Sequence, residues 1–183
     1  MRQRLHLHTA LLVLLAIALA GCAVSPRAGY RANQLDDMTQ ETIYRFQETD
    51  PGIERLFDTA VGYAVFPTIG AGAAGVGGAY GRGQVYERGN FIGYCDMTQA
   101  SVGLQLGGQA YSEVIFFNSQ DAMDWFKSGE FSFSGQASAV ALREGVSANA
   151  NFRNGVAVYT QAKGGLMYQA SIGGQKFRFE PIR

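Results

Sequence analysis

The spacing of apolar and polar positions changes period along the chain, and each change marks an element. From Gln34 to about Glu48, the residues Leu35, Met38, Thr42, Ile43 and Phe46 recur on one stripe, while Asp37, Gln40, Glu41, Arg45 and Glu48 mostly face away. This predicts an amphipathic helix, with Asn33 as its cap and Asp36 and Asp37 at the positive end of its dipole. Its polar side is acidic and not Lys/Arg-rich, which favours packing on a domain over lying on a membrane. Asp50-Pro51, a capping residue followed by proline, opens a second helix in which Ile53, Leu56, Phe57 and Ala60 share a face and which Gly62 stops.

From there the pattern is that of strands, an apolar run first and a period of two beyond Gly83. Gly62 to Ile69 reads as a buried strand, and Gln84–Glu87 and Asn90–Cys95 flank a hairpin turn at Arg88-Gly89-Asn90. Val102, Leu104 and Leu106 alternate with Gly103, Gln105 and Gly107, and Val114–Phe117 is apolar throughout, as in a strand covered on both faces. One helix interrupts the strands: Ser119 caps it, Ala122, Met123 and Phe126 line its apolar side, and Gly129 ends it. Phe131 and Phe133 open a strand that continues toward Leu142. Val146–Phe152 alternates as another, and Asn154-Gly155 turns the chain into Val156–Gln161. Gly164-Gly165 and Gly173-Gly174 set off Leu166–Ile172 and Lys176–Phe179. The fold class expected is α+β, mainly antiparallel: eight or nine strands in a curled, barrel-like or sandwich sheet, with two N-terminal helices and one inserted helix.

Seven of the fourteen residues from Gly70 to Gly83 are glycine: Gly70, Gly72, Gly75, Gly77, Gly78, Gly81 and Gly83. Each would cost a helix about 1 kcal/mol relative to alanine, so the stretch is extended, bulged or looped. Gly70, Gly72 and Gly75 spell a dinucleotide-type G-x-G-x-x-G, but a helix cannot follow through Val76-Gly77-Gly78, and such a site needs one. The expectation is a structural segment of close backbone approach or bulges.

At the other extreme, Ala10–Ala20 is an uninterrupted apolar run behind Arg2 and Arg4, too short for an anchor and suited to a signal peptide. It ends in Leu19-Ala20-Gly21-Cys22, which resembles the bacterial lipoprotein box. The resemblance implies cleavage before Cys22, acylation of its thiol and amino group, and, with Ala23 next, delivery to the periplasmic face of the outer membrane. The organisation expected is a signal peptide over 1–21, an acylated tether over 22–33 and a single domain over 34–183. The eleven residues Ala23–Asn33 reach at most about 40 Å, which keeps the domain near the bilayer.

Cleavage alters what chemistry is possible. Basic residues fall from 15 to 13 against 15 acidic ones, a formal charge of about −2 that does not suit a nucleic-acid binder. His6 and His8 leave with the leader, and with them any imidazole ligand or His-based nucleophile. No metal, cofactor or nucleic acid is expected. Cys95, in the apolar run Phe91–Cys95, reads as a small buried hydrophobe, the alternative being a reactive or intermolecular thiol. Asp96, Glu113, Asp121 and Asp124 could serve an acid–base pair, although their spacing singles out none.

Pro51 with its helix, Ala60-Val61-Gly62-Tyr63-Ala64-Val65-Phe66-Pro67, the glycines to Gly83, Gly103–Gly108, Val114–Phe117 and Ala122–Phe126 together resemble the SYLF domain family, over roughly Asp50 to Glu180. The resemblance implies a lipid-binding module. Eukaryotic relatives bind phosphoinositides and in some cases actin, and bacterial members are commonly envelope lipoproteins. The reading that results is a non-enzymatic lipoprotein contacting membrane phospholipid, with Arg27, Arg31, Lys176 and Arg178 as the cations to test. Solvated spacers (Arg27, Arg31) and guards of a sheet edge (Lys176, Arg178) are the plainer alternatives. The competing function is an envelope scaffold acting through protein partners.

Overall fold

The computed structural model describes residues 28–71, 78–99, 110–133, 138–163 and 170–182, and by its internal contacts the chain divides into Met1–Ala32 and Asn33–Arg183. Helix α1 spans Ala28–Thr49, so it begins six residues before the expected start, and Asn33 lies inside it, not at its cap. Nothing between Tyr30 and Thr49 breaks a helix, and Ala28 and Ala32 favour one, so the turn extends back into the expected tether. The expected stripe faces the domain: Thr42 and Phe46 are buried, and Leu35, Met38 and Ile43 are half-buried.

Asp50 caps the next element as expected, accepting from Gly52 N at 3.1 Å. Pro51–Ile53 forms a single 3-10 turn before α2, Glu54–Thr59. The helix stops there, and Gly62 is the first residue of a strand. A Cβ at Gly62 would lie 2.7 Å from Tyr86 O and 2.8 Å from the Met123 sulfur, so close packing is what requires glycine there.

Eight strands follow: β1 Gly62–Ala71, β2 Ala79–Glu87, β3 Asn90–Gln99, β4 Tyr111–Phe117, β5 Ser138–Ala141, β6 Val156–Ala162, β7 Ala170–Ser171 and β8 Gln175–Pro181. Their order in the sheet is β7-β5-β6-β4-β1-β2-β3-β8, antiparallel at every pairing except β5 with β6. Eight strands laid flat would separate the edges by about 34 Å. Yet β7 and β8 are the two edges, and only Ile172–Gly174 joins them, a reach of at most about 14 Å. The sheet therefore curls until its edges approach, with no pairing of β7 and β8 among the described residues, and Gln99 Nε2 of β3 holds the connector by donating to Gly173 O at 3.0 Å.

The curl divides the core in two. Ala139 near one edge and Phe177 near the other share one apolar cluster with Phe66, Ile115, Phe117, Met97 and Cys95, which places that cluster on the concave side. Helix α3, Gln120–Lys127, fills it from one end with Ala122, Met123 and Phe126, under a cap in which Ser119 Oγ accepts from Ala122 N. The second cluster lies on the convex side, where Tyr63, Val65, Val114, Phe116 and Tyr159 meet Phe46 of α1, Ile53 of the 3-10 turn and Leu56 of α2. β4 is central and buried along its whole length, as expected for its apolar run Val114–Phe117 and including the polar Ser112 and Glu113 before it.

Gly81 and Gly83 lie on β2 opposite a bulge in β1 between Val65 and Ile69. A Cβ at Gly83 would come within 2.4 Å of Val65 O, and one at Gly81 within 2.7 Å of the Ile69 side chain. Gly70 is the penultimate residue of β1 and Gly78 precedes β2, whereas Gly72, Gly75 and Gly77 lie outside the described residues, as do Val102, Leu104 and Leu106. The turns at Arg88-Gly89 and Asn154-Gly155 form with positive φ at both residues.

Two strands expected from the sequence are not formed as expected. Phe131–Phe133 makes a bridge, Ser132 to Lys176, the regular strand described is Ser138–Ala141, and the stretch 134–137 between them lies outside the described residues. Val146–Asn149, expected as part of a strand, is a 3-10 turn entered through Gly145 at φ +76°. There the Ser147 N–H donates to Asp50 Oδ2 at 2.7 Å, a bond from outside the segment that its own alternation could not announce.

Candidate functional site

α1 and α2 cover the convex face over β1, β4 and β6 and the Gln84–Tyr86 part of β2, where Gln40 of α1 donates to Tyr86 OH at 3.4 Å; the outer face of β8 and the rest of those of β2 and β3 are more open. Period-two alternation puts Tyr80 and Arg82 on that face of β2, Tyr94, Asp96 and Thr98 on that of β3, and Lys176, Arg178 and Glu180 on that of β8. Register then sets Arg82 opposite Asp96, and Asp96 opposite Arg178. The Arg82 guanidinium donates to both Asp96 oxygens at 2.8 and 3.0 Å and to Glu180 Oε2 at 3.0 Å. It also lies 5.1 Å from the Tyr94 ring centre, and Tyr80 OH donates to Asp96 at 2.7 Å. Burial works against the Arg82 charge, but the Glu180 and Asp96 carboxylates outweigh it and hold its pKa above the ordinary value. One cation thus ties three strands together and offsets one of the two carboxylate charges it bonds, while Lys176 and Arg178 stand exposed beside it.

The expected lipid-binding cations are only partly brought together. Lys176 and Arg178 share one exposed face of β8. Arg31 falls on α1, and Arg27 and Cys22 lie outside the described residues. The four candidate carboxylates occupy separate places: Asp96 in the Arg82 network, Asp121 and Asp124 on the exposed side of α3, and Glu113 inside the curl. Among the described residues no group of His, Cys, Asp and Glu could hold a metal ion. Cys95 is fully buried, and burial pushes its thiol well above the ordinary range, so it stays neutral.

Sequence reasoning did not find the polar layer within the curl. Tyr111, Glu113, Thr160 and Gln175 point inward with the concave core, and Gln175 Nε2 donates to Tyr111 OH and to Glu113 Oε2, each at 3.2 Å. Glu113 Oε1, Thr160 Oγ1 and Gln175 Oε1 are buried without a partner. Burial pushes the Glu113 carboxyl up to about 8, against the smaller effect of the Gln175 bond, so it is largely protonated at neutral pH. Burial likewise raises the Tyr111 hydroxyl. The only sequence signal was a glutamate inside an apolar strand. Lys163 was also missed; it donates to Thr68 Oγ1 at 2.7 Å, and burial first, then the Arg45 charge, lowers its pKa.

Beside α2 an open groove of about 410 Å³ is lined by Pro51, Glu54, Arg55, Asp58 and Ala148, with acid in excess, which suits an anionic head group poorly. Among the described residues no helix is long and apolar enough to cross a membrane.

Residues 98–180 match the family model described as Ysc84, Las17-binding protein actin regulator, the family also called SYLF. The Ala60–Pro67 element, the most specific part of the resemblance read from the sequence, lies ahead of the matched segment. Beta cell expansion factor A of Aeromonas veronii is 28% identical over 153 residues, covering 78% of this chain and 55% of that protein. The chain thus spans about half the length of the curated relative it matches.

Proposed function

Taking the chain as a member of the SYLF family, we propose that it is a non-enzymatic lipoprotein whose domain binds phospholipid at the periplasmic face of the outer membrane. The observation that carries this reading is Leu19-Ala20-Gly21-Cys22 behind an apolar leader, which would place the domain within a short reach of a bilayer. The exposed pair Lys176 and Arg178, not consumed by the Arg82 network, supports it. Two tests separate anchoring from binding. Mass spectrometry of the protein from a bacterial envelope should find Cys22 diacylated and acylated at its new amino terminus, and an unmodified Cys22 with the leader attached would rule out the anchor. A Cys22→Ser chain should still sediment with vesicles containing anionic phospholipid, and its failure to do so would rule out intrinsic lipid binding.

The second reading is an envelope scaffold. Tyr44 is 63% exposed on α1 and Trp125 43% exposed on α3, aromatic surfaces of the kind that protein contacts use. Crosslinking through these two positions in cells should capture one reproducible protein under this reading and none under the first.

A further inference from the structure

We infer that the polar layer inside the curl is a site for one buried water molecule, held between Glu113, Thr160 and Gln175, which joins the central strands to the edge strand β8. The three residues are 0, 1 and 0% exposed, and each carries a side-chain oxygen with no hydrogen-bond partner: Glu113 Oε1, Thr160 Oγ1 and Gln175 Oε1. Leaving one such atom buried costs about as much as a lost hydrogen bond, so three in one layer call for a shared partner. Among the described residues the two others of this kind, Thr39 Oγ1 and Ser147 Oγ, are single hydroxyls on separate elements.

Register and curl bring the three together. Glu113 of β4 stands directly opposite Thr160 of β6, and it pairs on its other side with Phe66, which faces the concave core. Gln175 comes from β8, which β1, β2 and β3 separate from β4 in the sheet, so its 3.2 Å bonds to Tyr111 OH and Glu113 Oε2 cross the interior of the curl. Those bonds use Gln175 Nε2 and Glu113 Oε2 and leave the second atom of each group beside them. Exchanging the amide oxygen and nitrogen of Gln175 would turn the unpartnered atom into a donor without giving it a partner.

The chemistry of the three groups selects the guest. The Glu113 carboxyl is largely protonated near neutrality, and since Oε2 accepts from Gln175, Oε1 is the oxygen that can donate. Gln175 Oε1 only accepts, and the Thr160 hydroxyl does either. The guest must accept one hydrogen bond and donate at least one. The described side chains around the layer, Phe66, Gln99, Tyr111 and Phe177, carry no charge, so an ion would lie there without a counter-charge. Water makes about three such bonds in protein interiors.

The test is a crystal structure of the full chain carrying Cys22→Ser, with ordered water visible. One water within about 3.2 Å of Glu113 Oε1, Thr160 Oγ1 and Gln175 Oε1 is the expected result. Direct bonds among the three groups, a molecule other than water, or none at that point would overturn the inference. A solution measurement reads the same contact by its sign. Thr160→Val keeps the shape and removes the hydroxyl. A bound water then loses a partner, and the urea midpoint should fall by about 0.5 M. A hydroxyl that has no partner is better removed, so an unchanged or raised midpoint would overturn the inference.

Discussion

Two buried carboxyls give the protein opposite pH dependences. Asp50 is 1% exposed, and burial raises its pKa, but the N–H groups of Ser147 and Gly52 outweigh that and hold it below the ordinary carboxylate value. Its contribution to stability is present above the unfolded pKa and is lost as pH falls through the depressed one. Asp50→Ala leaves both N–H groups without this acceptor and should cost about 2 kcal/mol near neutrality, read from the denaturation midpoint. A change below about 0.5 kcal/mol would show that these bonds do not fix the junction. Glu113 works the other way. Its folded pKa is raised to about 8, so the folded state holds the proton more tightly and stability falls as pH rises from about 4.3 through 8. Glu113→Gln should flatten the slope over that window, on the order of a few kcal/mol across it, and a variant with the parent's slope would clear Glu113 of responsibility.

Among the elements, β8 depends on side chains as well as on its ladder, because it is an edge strand paired only with β3 along most of its length. Arg82→Met removes the cross-strand tie to Asp96 and Glu180. Those groups are partly exposed, so global stability should drop by no more than about 1 kcal/mol. The local effect should be larger, with faster amide exchange over Phe177–Glu180 than over β1; uniform acceleration would mean the network does not serve the edge. β2 depends instead on missing side chains. Gly83→Ala sets a methyl against Val65 O and the Phe66 ring and should cost at least about 2 kcal/mol, and a neutral substitution would show that the bulge yields easily.

For the molecule as a whole, the two apolar clusters lie on opposite faces of one sheet and both draw residues from β1 and β4. They should therefore melt together. Trp125, the single tryptophan, packs on Phe131 at 4.8 Å beside the concave cluster, whereas far-UV dichroism reports both helical layers and the sheet. Fluorescence and dichroism should trace one transition; separate midpoints would mean that the helical layer on the convex face unfolds independently.

What the sequence determined was local: the face α1 buries, the Asp50-Pro51 and Ser119 caps, the turns at Arg88-Gly89 and Asn154-Gly155, and a β4 covered on both sides. Each follows from spacing or turn chemistry within a few residues, and the α+β class and SYLF likeness follow from the order of those pieces. Only the tertiary structure decided that β7 and β8 are the two edges, that Val146–Asn149 serves Asp50 as a turn, and that Arg82, Asp96 and Glu180 form one tie. It also decided that Glu113 meets Gln175 inside the curl. These facts depend on register between strands far apart in sequence, and alternation tells a residue its face but not its neighbour.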